Sequence, residues 1–299
     1  MQKFSVLAFM ASVIISACSP ALSPMDQLKV DIQSIIGASP GTYAVALQDL
    51  KDSSIQLLIN EKVVFHAAST MKTPVMMELF KQSREGKLSM EEELPVKNEF
   101  ISIVDGSTFS MDIGEDSDEM LYEKIGEKVK IYDLMYNMII HSSNLATNLL
   151  IEKVDAQNVT QTLRDMGAMD IKVLRGVEDI KAYRKGLSNT TTAYDLMLIY
   201  EQLGKGTFLD KSSCQRMINI LLDQEHNDLI PANLPTEVKV AHKTGFITKI
   251  LHDSGIVFLP DGRQYVLVIL SKEWDKEETA QKTIANISKR IYDFYITNP

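Results

Sequence analysis

Cysteine, histidine and basic residues are scarce in this 299-residue chain. With 2 cysteines and 5 histidines, neither a disulfide framework nor a zinc-type cluster is expected. The 31 lysines and arginines are outnumbered by 40 aspartates and glutamates, so the net charge is −9 and nucleic-acid binding is not expected. The hydrophobic content of 45% excludes a disordered or multispanning membrane protein. What remains is an acidic globular enzyme, or a binder of small molecules or peptides.

The first residues have the pattern of an export signal. Lys3 precedes an uncharged run that is too short to span a membrane. This run ends in Ile15-Ser16-Ala17-Cys18, which resembles the bacterial lipobox, where small residues precede a cysteine that becomes lipidated. We therefore predict a lipoprotein signal peptide over 1–17, a tether over 18–24 and a lipid anchor on Cys18 in the periplasmic cell envelope. The alternative is an ordinary secretory signal that leaves Cys18 as a thiol.

The rest of the chain shows strand patterns near both ends and helical patterns between them. We predict strands at 42–50, 54–60, 239–246, 255–259 and 264–271. These patterns predict an α+β fold: an antiparallel five-stranded sheet, flanked by terminal helices, with an inserted all-helical lobe. Within a catalytic domain over 25–299, we place the sheet lobe at 25–72 and 226–299 and the mainly helical lobe at 73–225. A site is expected in the cleft between the lobes.

An acidic segment interrupts the helical patterns at residues 100–120. It contains Asp105-Gly106-Ser107 and a run of acidic residues from Gly114 to Glu119. The order of its carboxylates does not match the ligands of an EF-hand, so a solvated loop is favoured over a calcium site. We therefore predict no metal in this protein.

The first motif that could carry chemistry is Ser69-Thr70-Met71-Lys72. Thr73-Pro74 and an apolar run follow it, so Ser69 is expected at a helix start. Residues three apart on a helix share a face, which places the Lys72 amine beside the Ser69 hydroxyl. A desolvated neutral lysine can act as the base that activates a serine.

The second and third motifs are Ser142-Ser143-Asn144, which leads into a helix, and Lys243-Thr244-Gly245, on a predicted strand. The hydroxyl and carboxamide of the second motif could relay a proton and hold an amide, although helix capping also explains these residues. The cation and hydroxyl of the third could anchor a carboxylate on an edge strand, where glycine leaves room for a substrate backbone.

In this order, S-x-x-K, S-x-N and K-T-G resemble the signature of class A β-lactamases and penicillin-binding proteins, with the second motif in a variant form. The chain therefore resembles the class A β-lactamase family of serine hydrolases from about Thr42 onwards. The resemblance implies a β-lactamase/transpeptidase-like fold, a β-lactam or cell-wall peptide as substrate, and no cofactor. We expect a monomer that binds the membrane only through its lipid anchor.

The resemblance also assigns catalytic roles. Ser69 would attack the carbonyl and form an acyl-enzyme, and Lys72 would take its proton directly or through water. Ser142 would pass a proton to the leaving nitrogen. Glu178 stands where the family has the glutamate that activates water for deacylation.

The substrate-binding roles fall on five further residues. Asn144 would hold the substrate's side-chain amide, and Lys243 and Thr244 would bind its carboxylate. The backbone N–H groups of Ser69 and Phe246 would form the oxyanion hole, with Gly245 between Phe246 and the carboxylate anchor.

Two departures from the family pattern affect the prediction for deacylation. Position 182 is alanine, where the family has an asparagine that helps to hold the water, and Ser143 replaces the aspartate of the second motif. An ion pair of Arg175 with Glu178 or Asp179 is the structural alternative to a catalytic Glu178.

Three functions therefore stay open at this point. The first is a serine β-lactamase, and the second is a D,D-peptidase-like hydrolase or penicillin-binding protein that deacylates slowly. The third is a non-catalytic module that binds cell-wall components or senses drugs. The intact Ser69, Lys72, Ser142 and Lys243 argue against the third, because a binding module needs no nucleophile with its base.

Overall fold

The computed structural model describes residues 22–298. The predicted signal peptide and Cys18 lie outside the described residues. Three 3-10 turns cover Ala68–Met71, Ile113–Glu115 and Glu119–Lys124. The α-helices are α1 (Pro24–Gly37), α2 (Lys72–Arg84), α3 (Ile131–Ile140), α4 (Asn144–Val154), α5 (Ala156–Asp165), α6 (Ile180–Arg184), α7 (Ala193–Lys205), α8 (Lys211–Leu222) and α9 (Glu277–Thr297).

The strands form one large sheet and three short pairs. They are β1 (Thr42–Asp49), β2 (Gln56–Ile59), β3 (Phe65–His66), β4 (Glu93–Pro95), β5 (Phe100–Ile101), β6 (Thr108–Phe109), β7 (Lys128–Lys130), β8 (Thr190–Thr191), β9 (Lys239–Ile247), β10 (Ile250–Phe258) and β11 (Gln264–Lys272). The large sheet has the order β2-β1-β11-β10-β9 and is antiparallel throughout. This confirms the predicted five-stranded sheet, which draws its strands from both ends of the chain.

The largest error in a predicted strand boundary is at the start of β10. The sequence pattern places the start of the fourth large strand at 255, whereas β10 begins at Ile250. Three polar residues in this stretch, His252, Asp253 and Ser254, are fully buried. Each has a hydrogen-bond partner in the fold, which a strand pattern based on apolar residues does not reveal.

The two faces of the sheet bury different helices. Val45 and Leu47 of β1 point to the side of α1 and α9, with Leu28 and Ile284. Ala44 and Ala46 point to the opposite side, where α2–α5, α7 and α8 pack. This alternation is the period of two expected of a strand, and it places the helical part of the chain on one face. The boundaries proposed for the two lobes remain a prediction.

The helical face also positions the elements that carry the three motifs. The 3-10 turn before α2 lies against β9, the edge strand of the sheet. Helix α4 packs on α2 and α3, which brings its N-terminus towards the same edge. Between residues 22 and 298, no helix is both long and apolar enough to cross a membrane.

Candidate active site

Ser69 lies where two cavities meet at the edge of β9. One cavity, of about 300 Å³, includes Ser142 and Thr244 in its lining. The second, of about 390 Å³, includes Glu178. Both are lined by Ser69, Asn144 and Phe246, together with Glu115. The structure therefore brings residues from all three motifs to one cleft.

Lys72 is fully buried and points at the second motif. Its Nζ donates to the backbone oxygen of Ser142 at 2.7 Å and to Asn144 Oδ1 at 2.8 Å. Ser142 Oγ lies 3.2 Å from the same nitrogen. Because both carbonyl oxygens only accept, a neutral amine satisfies them with its two N–H groups and keeps a lone pair for a proton.

The hydroxyl of Ser142 is shared by two lysines. Lys243 Nζ donates to Ser142 Oγ at 3.1 Å and to the carbonyl of Thr244 at 3.1 Å. Lys243 is fully buried on β9, where it is paired in register with Ser254. Ser142 thus bridges α2 and the edge strand.

Burial changes the acidity of both lysines. It lowers the pKa of the Lys72 amine to about 7, although the carboxylates of Asp116 and Glu178 oppose this shift. Burial also lowers the pKa of Lys243, and the positive charge of Lys72 acts in the same direction. A lysine whose pKa lies near neutrality can accept a proton at physiological pH.

Glu178 is connected to Lys72 through Asn144. Asn144 Nδ2 donates to Glu178 Oε1 at 3.0 Å, while its Oδ1 accepts from Lys72. Burial raises the pKa of Glu178, partly offset by hydrogen bonds from Asn144 and the backbone of Asp112. A carboxylate with a raised pKa at a cavity wall is a candidate general base.

The loop that carries Glu178 is fixed to α4. Asn148 Oδ1 accepts from the backbone N–H of Val177 at 2.6 Å, and its Nδ2 donates to the Val177 carbonyl at 3.1 Å. Arg175 donates to the carbonyls of Leu187 and Gly176, so the alternative ion pair with a neighbouring carboxylate is not formed. The structure thus leaves the Glu178 carboxylate facing the cavity.

Three residues at the site have left-handed backbone conformations. Ala68, Ser142 and Glu178 have φ angles of 46°, 60° and 62°. Such angles are uncommon outside glycine and are held in place by the surrounding structure. Before Ser69, for example, the N–H of Ala68 donates to His66 Nδ1 at 3.0 Å. The strained positions thus lie at or next to three of the predicted catalytic residues.

The third motif forms the wall of the cleft opposite Ser142. A Cβ on Gly245 would lie 3.1 Å from the backbone nitrogen of Ser69, so glycine lets the strand come this close without displacing Ser69. Thr244 is half-buried, and the Phe246 side chain is exposed at the rim. The spacing explains why the motif ends in glycine.

The family follows from a comparison with known proteins. The pattern of the beta-lactamase enzyme family matches residues 27–295. The chain belongs to this family. Beta-lactamase VEB-1 of Pseudomonas aeruginosa is 22% identical over 283 residues, which cover 91% of each chain. Extended-spectrum beta-lactamase PER-1 of the same species is 25% identical over 284 residues, covering 92% of this chain and 88% of that protein.

Solved structures give the same result for the fold. PBP-A superposes with a TM-score of 0.80 at 26% identity, covering 93% of this chain and 99% of that chain. The TLA-1 extended-spectrum β-lactamase superposes with a TM-score of 0.79 at 21% identity, covering 92% of this chain and 100% of that one. These similarities confirm the predicted β-lactamase/transpeptidase-like fold. Membership of the β-lactamase family supports a serine hydrolase.

The other histidine and cysteine side chains near the motifs or in the helices contact protein groups. Within the described part of the chain, no group of three or more histidine, cysteine or acidic side chains could hold a metal ion. His242 is buried against Asp253 at 2.9 Å, and His141 contacts Glu225 at the surface. Cys214 is buried in α8. Ala182 is also buried, in α6, and contributes no polar group to the cavities.

One residue of the site was missed by the sequence analysis. The acidic segment at 100–120 was predicted to be solvated, but Asp116 and Asp118 are buried. The Asp116 carboxylate accepts from the backbone N–H groups of Asn144 and Leu145.

Proposed function

We propose that this protein is a serine β-lactamase that hydrolyses the β-lactam amide through an acyl-enzyme on Ser69. The observation that carries the proposal is the chain of contacts from Lys72 through Asn144 to Glu178, with one link at 2.8 Å and the next at 3.0 Å. It connects a candidate base for acylation with a candidate base for deacylation. A hydrolase needs both, because the acyl-enzyme must form and must be released.

Acylation begins with attack of Ser69 Oγ on the carbonyl carbon. The hydrogen bonds of Lys72 go to Ser142 and Asn144, so the Ser69 proton reaches the amine after a side-chain rotation or through a water. The backbone N–H groups of Ser69 and Phe246 would stabilise the oxyanion. When the C–N bond breaks, the Ser142 hydroxyl delivers a proton to the leaving nitrogen and is reprotonated from Lys72.

Substrate binding uses the edge of the sheet. Lys243 and Thr244 would bind the carboxylate of the substrate, and the Asn144 carboxamide would hold its side-chain amide. Gly245 allows the substrate backbone to lie along β9, where a Cβ would already meet Ser69. This arrangement suits a β-lactam or a cell-wall peptide, because both carry an amide and a carboxylate.

Deacylation would use Glu178 as the base for a water that attacks the ester carbonyl. Its raised pKa suits this role, since a stronger base removes a proton from water more readily. With alanine at position 182, the water would depend on Glu178 and Asn144 for its position. The transfer restores the Ser69 hydroxyl and releases the acid product.

A D,D-peptidase-like or penicillin-binding function is the second candidate. It is favoured by the similarity to PBP-A, including a structure of a PBP-A mutant as an acyl-enzyme complex with penicillin G, which superposes with a TM-score of 0.79. In that case the acyl-enzyme would persist. A non-catalytic module is disfavoured by the two buried lysine amines that contact the Ser142 hydroxyl, in the cleft that Ser69 also lines.

The three candidates are separated by one experiment. The mature protein is incubated with a chromogenic cephalosporin while colour and protein mass are followed. Continuous colour with a transient adduct supports the β-lactamase, whereas a lasting one-to-one mass gain supports the penicillin-binding protein. If neither colour nor a mass gain is seen, the non-catalytic binding module is supported. Ser69→Ala is the control, and it should lose both colour and adduct.

We further propose that Cys18 carries a lipid anchor that holds the protein in the periplasmic cell envelope. The support is the lipobox-like sequence before Cys18. Expressed in a Gram-negative host, the protein should partition into the membrane fraction, and Cys18→Ser should move it to the soluble fraction. Equal distribution of the two forms would contradict the anchor.

A further inference from the structure

The N-terminus of α4 receives a carboxylate from a distant loop. Asp116 Oδ1 accepts from the N–H of Asn144 at 2.9 Å, and Oδ2 accepts from the N–H of Leu145 at 2.8 Å. These N–H groups belong to the first turn of the helix, where no carbonyl within the helix can pair with them. A negative charge at this end also interacts favourably with the helix dipole.

The same carboxylate is held on its other sides. Tyr122 Oη donates to Oδ2 at 3.0 Å, and the N–H of Asp118 donates to Oδ1 at 3.2 Å. Asp116 is 8% exposed, although its neighbours Glu115 and Ser117 are exposed. Four donors around one buried carboxylate form a built position, not a solvated acidic loop.

The second motif itself has no carboxylate at this place. Its middle residue is Ser143, where the family signature S-D-N has an aspartate. Ser143 Oγ caps α4 by accepting from the N–H of Ala146 at 3.3 Å. The cap leaves Asn144 and Leu145 without a partner from the motif, and Asp116 supplies it.

We propose that Asp116 is a positioning residue that replaces the missing motif carboxylate and orients Asn144 between Lys72 and Glu178. The inference rests on the function proposed above. By fixing the backbone of Asn144, Asp116 fixes a carboxamide that contacts both candidate bases. Its negative charge also stabilises the protonated form of Lys72.

Several charged groups act on Lys72 together. Asp116 and Glu178 raise its pKa from the loop side, while Lys243 on β9 repels its positive charge. Asp253 and His226 in turn lie near Lys243. Removing the charge of Asp116 should therefore make Lys72 a weaker base, with a lower pKa.

The test compares Asp116→Asn with Glu123→Gln, an exposed carboxylate on the 3-10 turn that follows. We expect Asp116→Asn to slow Ser69 acylation by a chromogenic cephalosporin roughly 10- to 100-fold, from loss of charged hydrogen bonds. The pH at half-maximal acylation should move to a lower value. Glu123→Gln should match the unmodified protein.

A second variant separates positioning from general damage. Ser143→Asp, added to Asp116→Asn, returns a carboxylate to the motif and should recover most of the acylation rate and the pH profile. If Asp116→Asn does not fold alone, this double variant should fold. A uniform slowing without a pH shift, or a failure of Ser143→Asp to rescue, would overturn the proposal.

Hydrogen exchange keeps this test distinct from a failure of the proposed function. In Asp116→Asn the amides of Asn144 and Leu145 should exchange at least several-fold faster, and the double variant should reverse this. If the unmodified protein forms no adduct, the β-lactamase proposal fails. The exchange result still decides whether Asp116 holds the start of α4, and unchanged exchange would reject its role.

Discussion

Glu178 accepts a hydrogen bond from Asn144 at 3.0 Å, across the gap between the loop before α6 and the start of α4. The contact ties the candidate water-activating carboxylate to the residue that also binds Lys72. In the proposed mechanism, acylation and deacylation are therefore connected through one carboxamide. A substitution on the Lys72 side of this contact should slow acylation, whereas one on the Glu178 side should slow deacylation.

Glu178→Gln should trap the acyl-enzyme. An amide keeps the hydrogen bond with Asn144 but cannot take a proton from water, so deacylation should slow about 10²- to 10⁴-fold. Mass spectrometry during turnover would show the Ser69 adduct accumulate. Glu115→Gln, an exposed carboxylate that lines the same cavities, is the matched control. A release rate equal to that of the unmodified protein would reject Glu178 as the base.

The pH dependence of acylation should follow Lys72. Because only the neutral amine accepts a proton, the rate should rise with pH and level off above its pKa of about 7. At a pH two units below this pKa, about 1% of the amine is neutral. Single-turnover adduct formation between about pH 5 and 8.5 measures this limb, and a flat profile would contradict it.

The rate of deacylation should fall at acidic pH independently of the rate of acylation. The raised pKa of Glu178 means that its ionised form is lost at a higher pH than for an ordinary glutamate, as the pH falls. As the pH falls, decay of the purified acyl-enzyme should therefore begin to slow at a higher pH than an ordinary glutamate would give. If the decay rate instead fell at the pH expected of an exposed glutamate, burial of Glu178 would have no effect on this step.

Gly176→Ala should loosen the loop that carries Glu178. A Cβ at this position would overlap Asn148 Oδ1, so Asn148 must move away from Val177. We expect a stability loss of about 1–3 kcal/mol, read from thermal unfolding, and a slower deacylation step. Gly37→Ala is the control, since a Cβ there meets nothing within 4 Å. Equal melting of the two variants would contradict the contact.

Ser142→Ala should uncouple the two lysines. Lys72 and Lys243 both contact Ser142 Oγ, at 3.2 and 3.1 Å, and its removal breaks the proton path to the leaving nitrogen. Acylation should slow about 10²- to 10⁴-fold. The backbone carbonyl of Ser142 and the Oδ1 atom of Asn144 remain, so Lys72 keeps two of its three contacts and the fold should persist. Measuring adduct formation at several concentrations separates the loss in rate from a loss in binding.

The sequence predicted the motif-bearing elements well because each has a strong local signal. Lys72 and the apolar residues after it start α2, Ser143 caps α4, and the alternating pattern near Lys243 gives β9. The polar stretch at the start of β10 gave no such signal. Its side chains are stabilised by residues on other elements, including His66 and His242.

The site divides in the same way. Ser69, Lys72, Ser142, Asn144 and Lys243 were predicted from their motifs. In the fold both lysines contact Ser142, Lys72 also contacts Asn144, and Ser69 lines the same cleft. Asp116 was not, because burial of a carboxylate depends on donors from another helix and cannot be read from an acidic segment. The alternative ion pair of Arg175 with Glu178 or Asp179 was wrong for a similar reason, because Arg175 donates its hydrogen bonds to backbone carbonyls instead.

By itself the sequence determined which residue types are present and on which elements they lie, because helix starts and alternating strands are local properties of the chain. The tertiary structure decided their protonation and their partners. Lys72 has a pKa of about 7 only because the packed helices and β9 exclude water around it. Glu178 meets Asn144 only because Asn148 holds its loop against α4. Desolvation and long-range contacts exist only in the folded chain.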